Sequence, residues 1–215
     1  MRRADRSSQL LEVAERLIAR RGVAATSMDD VAEAAGVTKP VVYDHFGSKD
    51  GLLCALIARA GDELNERTTA AVAHTDGPLP ALERGLRAYF DTLDRRDGVW
   101  WALLDATAAV SPATLAELDR IRNRQAAFVA DLIAAEIPVD PEQALIYAHS
   151  VVGACERLAA LRATRRSLSV DVVTTHLLEL LWCGFGELRL GRRMPERPGD
   201  DAGALRDPGA AQRLG

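Results

Sequence analysis

The chain has 215 residues, of which 48% are hydrophobic, 5% aromatic and 27% charged, and its formal net charge is −4. This length allows one large domain or a small domain joined to a medium one. The net negative charge excludes a protein that binds nucleic acid through a surface that is basic throughout. It is compatible with a local basic patch. Ala and Leu are plentiful and aromatic residues sparse, which favours helix over strand.

The cysteines and the charged N-terminus predict a reducing compartment. Cys54, Cys155 and Cys183 are odd in number, lie far apart and form no CxxC motif. The N-terminus carries charges and no apolar segment of the signal-peptide kind. No apolar run reaches the ~18–20 residues of a membrane span. We therefore expect a cytoplasmic protein without a membrane partner.

The first predicted helix covers residues 7–21, where apolar side chains recur with helical spacing, and Gly22 stops it. Arg2, Arg3 and Arg6 come before this periodicity. Two interpretations of these arginines stay open, a solubilising disordered tip and an arm that contacts DNA.

Two short helices and a long one follow. Thr26 or Ser27 can cap the second helix, which ends at Gly36. Thr38 can cap the third, with a proline tolerated in its first turn. The fourth predicted helix is long and spans residues 48–74.

Helices also fill the rest of the chain up to residue 190. No strand-like alternation is bounded by hairpin signals, so the fold is predicted to be all-α with about nine helices. From Gly191 onward, Gly, Pro, Arg and Asp dominate without periodicity, which predicts a disordered tail. The later helices are predicted over residues 81–95, 99–109, 111–136, 140–164 and 169–190.

The second and third helices form a helix-turn-helix candidate. Val31 and Ala32 allow a close crossing, and Gly36 can take the left-handed conformation that the turn needs. With Val42 and Phe46 packed inward, the side chains left facing outward are Lys39, Val41, Tyr43, Asp44 and His45.

These outward residues suit a DNA duplex. Lys39 can donate to guanine, and Val41 can contact a thymine methyl group. Tyr43 and His45 can bond phosphates, and Lys49 opens the next helix, where its charge and free backbone N–H groups attract phosphate. Each of these side chains taken alone is more often an ordinary surface residue.

The segment from Thr26 to Ile57, with the helix before it, resembles the N-terminal domain of the tetracycline-repressor (TetR) family of bacterial regulators. The likeness covers roughly residues 7–57 without a gap, whereas the remainder shows only the general plan of the family. The matching positions are Thr26-Ser27, Val31-Ala32, Ala35-Gly36-Val37, Tyr43, Phe46, Lys49 and Leu52-Leu53.

The resemblance implies a three-helix DNA-binding domain over residues 1–48 and a ligand-binding and dimerisation domain over 49–190, before the tail at 191–215. It also implies a dimeric repressor that binds a palindromic operator and is released by a small molecule. Asp44 departs from this pattern, because its carboxylate would repel a DNA phosphate. The phosphate contacts that the resemblance implies are Ser27, Tyr43, His45 and Lys49, and the base-reading positions are Thr38, Lys39, Pro40, Val41 and Asp44.

The last two helices are apolar around much of their circumference. Such a helix must be covered on more than one side, and a symmetric homodimer is the simplest cover. TetR-like proteins dimerise through their last two long helices, so the resemblance assigns these two here. The alternative is a deep monomer core.

The middle helices are candidates for a small-molecule site. The adjacent tryptophans 100 and 101 point in different directions, so one of them is free to face a cavity; each aromatic taken alone is more often core. The predicted lining residues are Phe90, Trp100, Trp101, Leu104, Asp105, Phe128, Tyr147 and Cys155.

Two rival classes of function were weighed against a DNA-binding regulator. The chain has no HExxH, GxSxG, Walker or dinucleotide motif, so we expect no enzyme, cofactor or metal site. A helical protein–protein adaptor that lost DNA binding is the second rival. Lys39, Tyr43 and Lys49 argue against it, and Asp44 and the low basic charge argue for it.

Overall fold

The structure is a computed structural model that describes residues 3–95, 111–165 and 167–191, in which all regular structure is helical. The all-α prediction is therefore confirmed. The predicted helix over 99–109 and the tail after Gly191 lie outside the described residues. The eight described helices are α1 (Arg3–Arg21), α2 (Met28–Ala35), α3 (Lys39–Phe46), α4 (Lys49–Val72), α5 (Pro78–Asp94), α6 (Pro112–Glu136), α7 (Pro141–Thr164) and α8 (Val170–Arg189).

Helix α1 begins at Arg3, four residues before the predicted start, so a disordered tip is wrong from Arg3 onward. Asp5 lies in the first turn, where the helix dipole favours a carboxylate. The guanidinium of Arg3 donates a hydrogen bond of 3.1 Å to the main-chain carbonyl of Asp44. This contact joins positions 41 residues apart, which explains why local periodicity missed it.

Helices α2 and α3 form the helix-turn-helix. Ser27 caps α2 in a reciprocal capping box with Asp30, and α2 ends at Gly36, whose φ of 65° is left-handed. The amide of Val37 then donates to the carbonyl of Ala32 at 3.0 Å, which closes the turn. Val31 and Val42 are fully buried where the two helices cross.

Helix α4 belongs to both halves of the molecule. Ser48 caps it, and its N-terminal half buries Leu52, Leu56 and Ile57 in the same core cluster as α1 to α3. On the outside, Nη2 of Arg59 lies 2.9 Å from Oε2 of Glu15 on α1. The C-terminal half of α4 packs against α5 and α6.

The C-terminal helices extend the same core. Helix α6 packs against α7, and α5 packs against α8 and α7. The main cluster runs from Leu10 on α1 to Leu177 on α8 without interruption. A smaller cluster between α6 and α7 includes Ile133 and Ala148.

The sequence expectation about membrane spans is wrong for one helix. Helix α7 is long and apolar enough to cross a membrane by length and composition, with a mean hydropathy of 1.2 over its most apolar window. Core helices of soluble proteins meet the same criterion. Here the side chains of Ala144, Ala148 and Val151 on α7 are buried within the molecule.

A glycine sets the approach of α4 to α6. A Cβ atom built on Gly61 would lie 2.5 Å from Cδ1 and 2.6 Å from Cγ1 of Ile121, a side chain that is 2% exposed. We expect Gly61→Ala to lower the free energy of unfolding by up to about 2 kcal/mol. The overpacking cost of about 1–3 kcal/mol exceeds the roughly 1 kcal/mol that alanine gains in helix propensity.

A double-mutant cycle with Ile121→Ala, measured by urea unfolding, tests the contact between positions 61 and 121. In the Ile121→Ala background the clash is gone, so Gly61→Ala should no longer destabilise the protein. An equal cost of Gly61→Ala in both backgrounds would contradict a contact between these two side chains.

Candidate nucleic-acid interface and ligand cavity

The outer face of α3 is polar and accessible. Thr38, Lys39, Pro40 and Asp44 are exposed, and Tyr43 is 40% exposed. Because Val42 faces the core, its neighbour Val41 lies at the edge of the helix and is half-buried, as is His45. The predicted DNA-contacting residues of α3 thus lie together on one side of the helix-turn-helix.

Lys39 is held across the turn between α2 and α3. Its Nζ lies 3.0 Å from Oδ1 of Asp29 and 5.7 Å from the ring centroid of Tyr43. The hydrogen bond to Asp29 raises the pKa of Lys39, so the ammonium group stays charged. Both partners are exposed, and such pairs contribute little. A phosphate or base acceptor can therefore replace Asp29.

The two hydroxyl candidates differ in their present bonding. The Ser27 hydroxyl accepts from the Asp30 amide at 3.1 Å and also bonds to the Asp30 carboxylate. Hydrogen bonds from the Ser27 side chain and amide lower the pKa of Asp30. The Thr38 side chain makes no capping bond although Thr38 is the N-cap of α3. Thr38 thus offers an uncommitted hydroxyl, whereas Ser27 must exchange partners to bind phosphate.

Lys49 marks the other edge of the interface. Its Nζ donates to the carbonyl of Ala24 at 3.3 Å, in the segment between α1 and α2. Lys39 and Lys49 are the only lysines in the chain. Both therefore lie at the helix-turn-helix.

Arg3 brings another positive charge beside α3. Its bond to the Asp44 carbonyl places a guanidinium next to the acid that departed from the expected pattern. The Asp44 carboxylate forms no ion pair with the part of the chain that the structure describes. The guanidinium of Arg3 is therefore bonded to the main chain of α3 at the residue that carries the acidic side chain.

A cavity of about 280 Å³ lies in the C-terminal half of the molecule. It is bounded by the C-terminal end of α4, the N-terminal half of α5, the C-terminal half of α6 and parts of α7 and α8. Its volume is near the lower end of small-molecule pockets, which span about 300–1,000 Å³. A smaller cavity beside it shares Tyr89, Gln125 and Val152 in its lining.

The predicted ligand-binding residues divide into three groups. Phe128 and Cys155 line the cavity, whereas Phe90 and Tyr147 do not. Phe90 is fully buried in the core, whereas its neighbour Tyr89 lines the cavity. Tyr147 packs on Phe185 at a ring distance of 6.1 Å. The remaining four, Trp100, Trp101, Leu104 and Asp105, lie outside the described residues.

Several lining residues were missed by sequence reasoning, among them Tyr89, Gln125, Trp182 and Arg189. Gln125 had a visible signal, because it interrupts the apolar stripe that includes Leu118 and Ile121 on α6. A glutamine at such a position is 4% exposed here. Tyr89, Trp182 and Arg189 had no such signal in the sequence. Helical periodicity predicts which side of a helix is buried, but not whether that side faces a cavity or another helix.

Helices α7 and α8 carry large apolar side chains that are exposed to solvent. Ile146 on α7 is 57% exposed, and Leu180 on α8 is 71% exposed. Leu145 and Val172 are 44% and 40% exposed. Such exposure on two neighbouring long helices is typical of an interaction surface.

The capping box of α2 makes stability depend on pH. The folded-state pKa of Asp30 is lowered, so its stabilising effect is present above its unfolded-state pKa and is lost as pH falls through the folded value. We expect Asp30→Ala to be less stable than the wild type at neutral pH. The difference should close below about pH 4, where carboxyl groups take up protons.

Urea unfolding of both proteins over this pH range measures the difference. Glu33→Ala is the matched control, because it removes an exposed carboxylate from the same helix that has no role in the cap. A stability difference for Asp30→Ala that stays constant with pH would contradict the assignment.

Comparison with known proteins gives two family models that match the chain. One, described as bacterial regulatory proteins of the tetR family, matches residues 10–56. The other, described as a tetracyclin repressor-like C-terminal domain, matches residues 78–184. The two matches lie on either side of the middle of α4.

Relatives and solved structures agree with these matches. The HTH-type transcriptional activator FasR of Mycolicibacterium smegmatis is 26% identical over 191 residues, which is 88% of this chain and 87% of that protein. An HTH-type transcriptional repressor of Mycobacterium tuberculosis is 34% identical over 103 residues, about half of each chain at 48% and 49%.

Two crystal structures have the same fold. A TetR-like transcriptional regulator from Rhodococcus sp. RHA1 superposes with a TM-score of 0.69 at 28% identity, over 86% of this chain and 98% of that one. A tetR-family regulator from Streptomyces coelicolor gives a TM-score of 0.67 at 25% identity, over 94% and 95%.

Proposed function

Because the chain belongs to the TetR family of bacterial transcriptional regulators, we propose that it binds a palindromic operator as a homodimer and leaves DNA when a small molecule enters its cavity. Membership in this family makes it a DNA-binding regulator and not an enzyme. The proposal adds the dimer, the operator symmetry, the ligand response and the cytoplasmic location. It also includes a DNA-binding domain over residues 1–48, a ligand-binding and dimerisation domain over 49–190, and a tail over 191–215.

The observation that carries DNA recognition is the grouping of Lys39, Tyr43 and Lys49 around the exposed face of α3. We assign Tyr43, His45, Lys49 and Ser27 to phosphate contacts, which fix the register of the protein without reading sequence. The base-reading positions are then at the N-terminal end of α3, which enters the major groove in helix-turn-helix proteins. They are Thr38, Lys39, Pro40 and Val41.

The exposed apolar side chains of α7 and α8 support a homodimer. A two-fold axis through this surface would cover Ile146 and Leu180 with the same residues of the second copy. Two recognition helices can then read half-sites about 34–36 Å apart, or a multiple of that distance. A palindromic operator follows from that symmetry.

Helix α4 supports a link between cavity and DNA. Its N-terminal half packs on the DNA-binding helices, and Thr68 and Val72 near its C-terminal end line the cavity. A ligand that displaces this end changes the separation of the two recognition helices. The coupling required is about 1–3 kcal/mol, which is ordinary for allostery.

We propose repression as the outcome of DNA binding. The relatives include both an activator, FasR, and a repressor from Mycobacterium tuberculosis. An operator that overlaps a promoter would give repression, and the position of the selected operator in the genome distinguishes the two outcomes.

Single substitutions separate phosphate contacts from base contacts. Lys49→Ala should weaken binding to all duplexes and reduce the salt slope of the binding constant by about 1, because one phosphate contact is lost. Lys39→Ala should also relax the preference at one base pair, where a good contact is worth about 1–3 kcal/mol. Tyr43→Phe should weaken binding without changing the base preference.

The control is Arg67→Ala, which removes an equal charge from α4 at an exposed ion pair with Glu63. Titrations of labelled duplex at several salt concentrations measure all four variants. An unchanged salt slope for Lys49→Ala, or a loss as large for Arg67→Ala, would contradict the assignment.

The two lysines also allow a direct map of the interface. Acetylation with an amine-reactive reagent should be slowed at both Lys39 and Lys49 by operator DNA, and the protection should vanish at high salt. Equal acetylation rates with and without operator would contradict contact at α3.

The dimer has its own test. Leu180→Glu should raise the dimer dissociation constant at least about tenfold, which corresponds to roughly 1.4 kcal/mol, because a charge enters an apolar contact. Leu115→Glu is the matched control, since Leu115 is 38% exposed on α6. Sedimentation equilibrium measures both, and a Leu180→Glu protein that dimerises like the wild type would contradict this surface.

A further inference from the structure

The cavity has an apolar wall and a small polar end. The wall includes Leu82, Val129, Ile133 and Phe185. Its volume of about 280 Å³ is roughly twice that of the ~150 Å³ apolar cavity known to hold one benzene ring. The occupant is therefore longer than a single ring, and most of its surface must be apolar.

Tyr89 and Gln125 form the polar end, and both side chains also reach the smaller cavity beyond it. They are 7% and 4% exposed. The Gln125 amide donates to Oδ1 of Asn65 on α4 at 3.4 Å, which uses one of its several bonding positions. Burial raises the pKa of the Tyr89 hydroxyl, so it keeps its proton and can donate.

The other lining hydroxyls are already bonded within their own chain segment. The Thr68 hydroxyl donates to the carbonyl of Leu64 at 2.8 Å, and the Thr75 hydroxyl donates to that of Val72 at 3.0 Å. Among the described lining residues, Gln125 and Tyr89 are therefore the buried neutral side chains with bonding capacity to spare toward an occupant. Trp182 is half-buried and lies under the guanidinium of Arg189.

Charges at the cavity occur as matched pairs. At the rim, Nη2 of Arg189 lies 3.6 Å from Oε2 of Glu136, and both side chains are about two-fifths exposed, at 37% and 41%. At the far end, Arg122 donates to Glu156 at 2.9 Å in the wall of the smaller cavity. Burial raises the pKa of the Cys155 thiol to about 12, so it adds no charge.

Such a cavity disfavours an ionic occupant. A charged group taken out of water costs a large free energy unless a partner of opposite charge meets it. Each charge that the described residues bring to the lining already has a partner, and a carboxylate near Arg189 would also meet Glu136. An amine near Glu136 would likewise meet Arg189.

We propose that the cavity binds an uncharged, elongated and largely apolar molecule whose single hydrogen-bonding group, a hydroxyl or a carbonyl, bonds to Gln125 and Tyr89. The inference rests on the proposed ligand response and names the chemical class of the ligand. It also identifies Gln125 as a polar link between the ligand and α4, beside the direct lining by Thr68 and Val72, because the same amide bonds to Asn65. A ligand that takes over this amide changes the link between α6 and α4.

A ten-carbon series with one constant chain tests the class directly. Decanol, its methyl ketone analogue of equal length, decanoate and decylamine are titrated into the full chain at neutral pH by calorimetry. The alcohol and the ketone should bind at least about tenfold more tightly than either ion, equivalent to about 1.4 kcal/mol.

Variants then locate the polar contact. Gln125→Leu and Tyr89→Phe should each weaken decanol binding several-fold and leave the binding of decane unchanged. Thr92→Val is the control, because it removes a buried hydroxyl of α5 that bonds to the carbonyl of Ala88 and does not line the cavity, and it should leave decanol binding unchanged. Near-wild-type melting temperatures confirm that the variants are folded.

Three results would overturn the proposal. They are decanoate or decylamine binding as tightly as decanol, undiminished decanol binding in both Gln125→Leu and Tyr89→Phe, and no binding by any probe. DNA affinity is measured separately, without probe. Decanol that binds and leaves DNA affinity unchanged supports the ligand class and contradicts ligand release, so the two failures are distinguishable.

Discussion

The structure depends on one helix, α4, that carries a continuous hydrophobic core from the helix-turn-helix to the C-terminal helices. Helix α4 has 24 residues and is about 36 Å long at the usual rise per residue. Its first three turns complete the hydrophobic core of the helix-turn-helix, and its last turns line the cavity. Gly61 near its middle allows α6 to approach at a distance that any larger side chain would prevent. The DNA-binding helices therefore have no core that is independent of the ligand-binding half.

Polar contacts fix how this helix is held on both sides. Arg59 joins α4 to Glu15 of α1, and Asp62, three residues later, bonds to Arg124 of α6 at 2.7 Å. The two ion pairs lie one helical turn apart, so a rotation of α4 strains both. The bond from Gln125 to Asn65 follows on the next turn and faces the cavity. In the proposed response, a small molecule at this end would act on the same element that packs against the helix-turn-helix.

An acidic protein that binds DNA must rely on position instead of total charge. Two of the cations around the helix-turn-helix lie beside acidic residues, with Lys39 against Asp29 and Arg3 bonded to the main chain of Asp44. These acids reduce the sequence-independent attraction to phosphate. Specific binding then depends more strongly on base contacts, which suits a regulator that must find one operator among many sites.

Local signals in the sequence predicted much of the fold, because caps and turns involve neighbouring residues. Ser27, Gly36 and Ser48 cap or end the helices as expected. The start of α1 was missed because Arg3 is held by Asp44, 41 residues away. The exposed face of α3 followed from one buried residue, Val42. The cavity did not follow, since its lining depends on how five helices pack, and periodicity carries no such information.

The most direct test of the central claim is selection of duplexes from a random pool by the purified, ligand-free protein, with binding followed against salt. The account predicts a palindrome whose affinity falls steeply as salt rises, and failure of a folded dimer to enrich any sequence would contradict it.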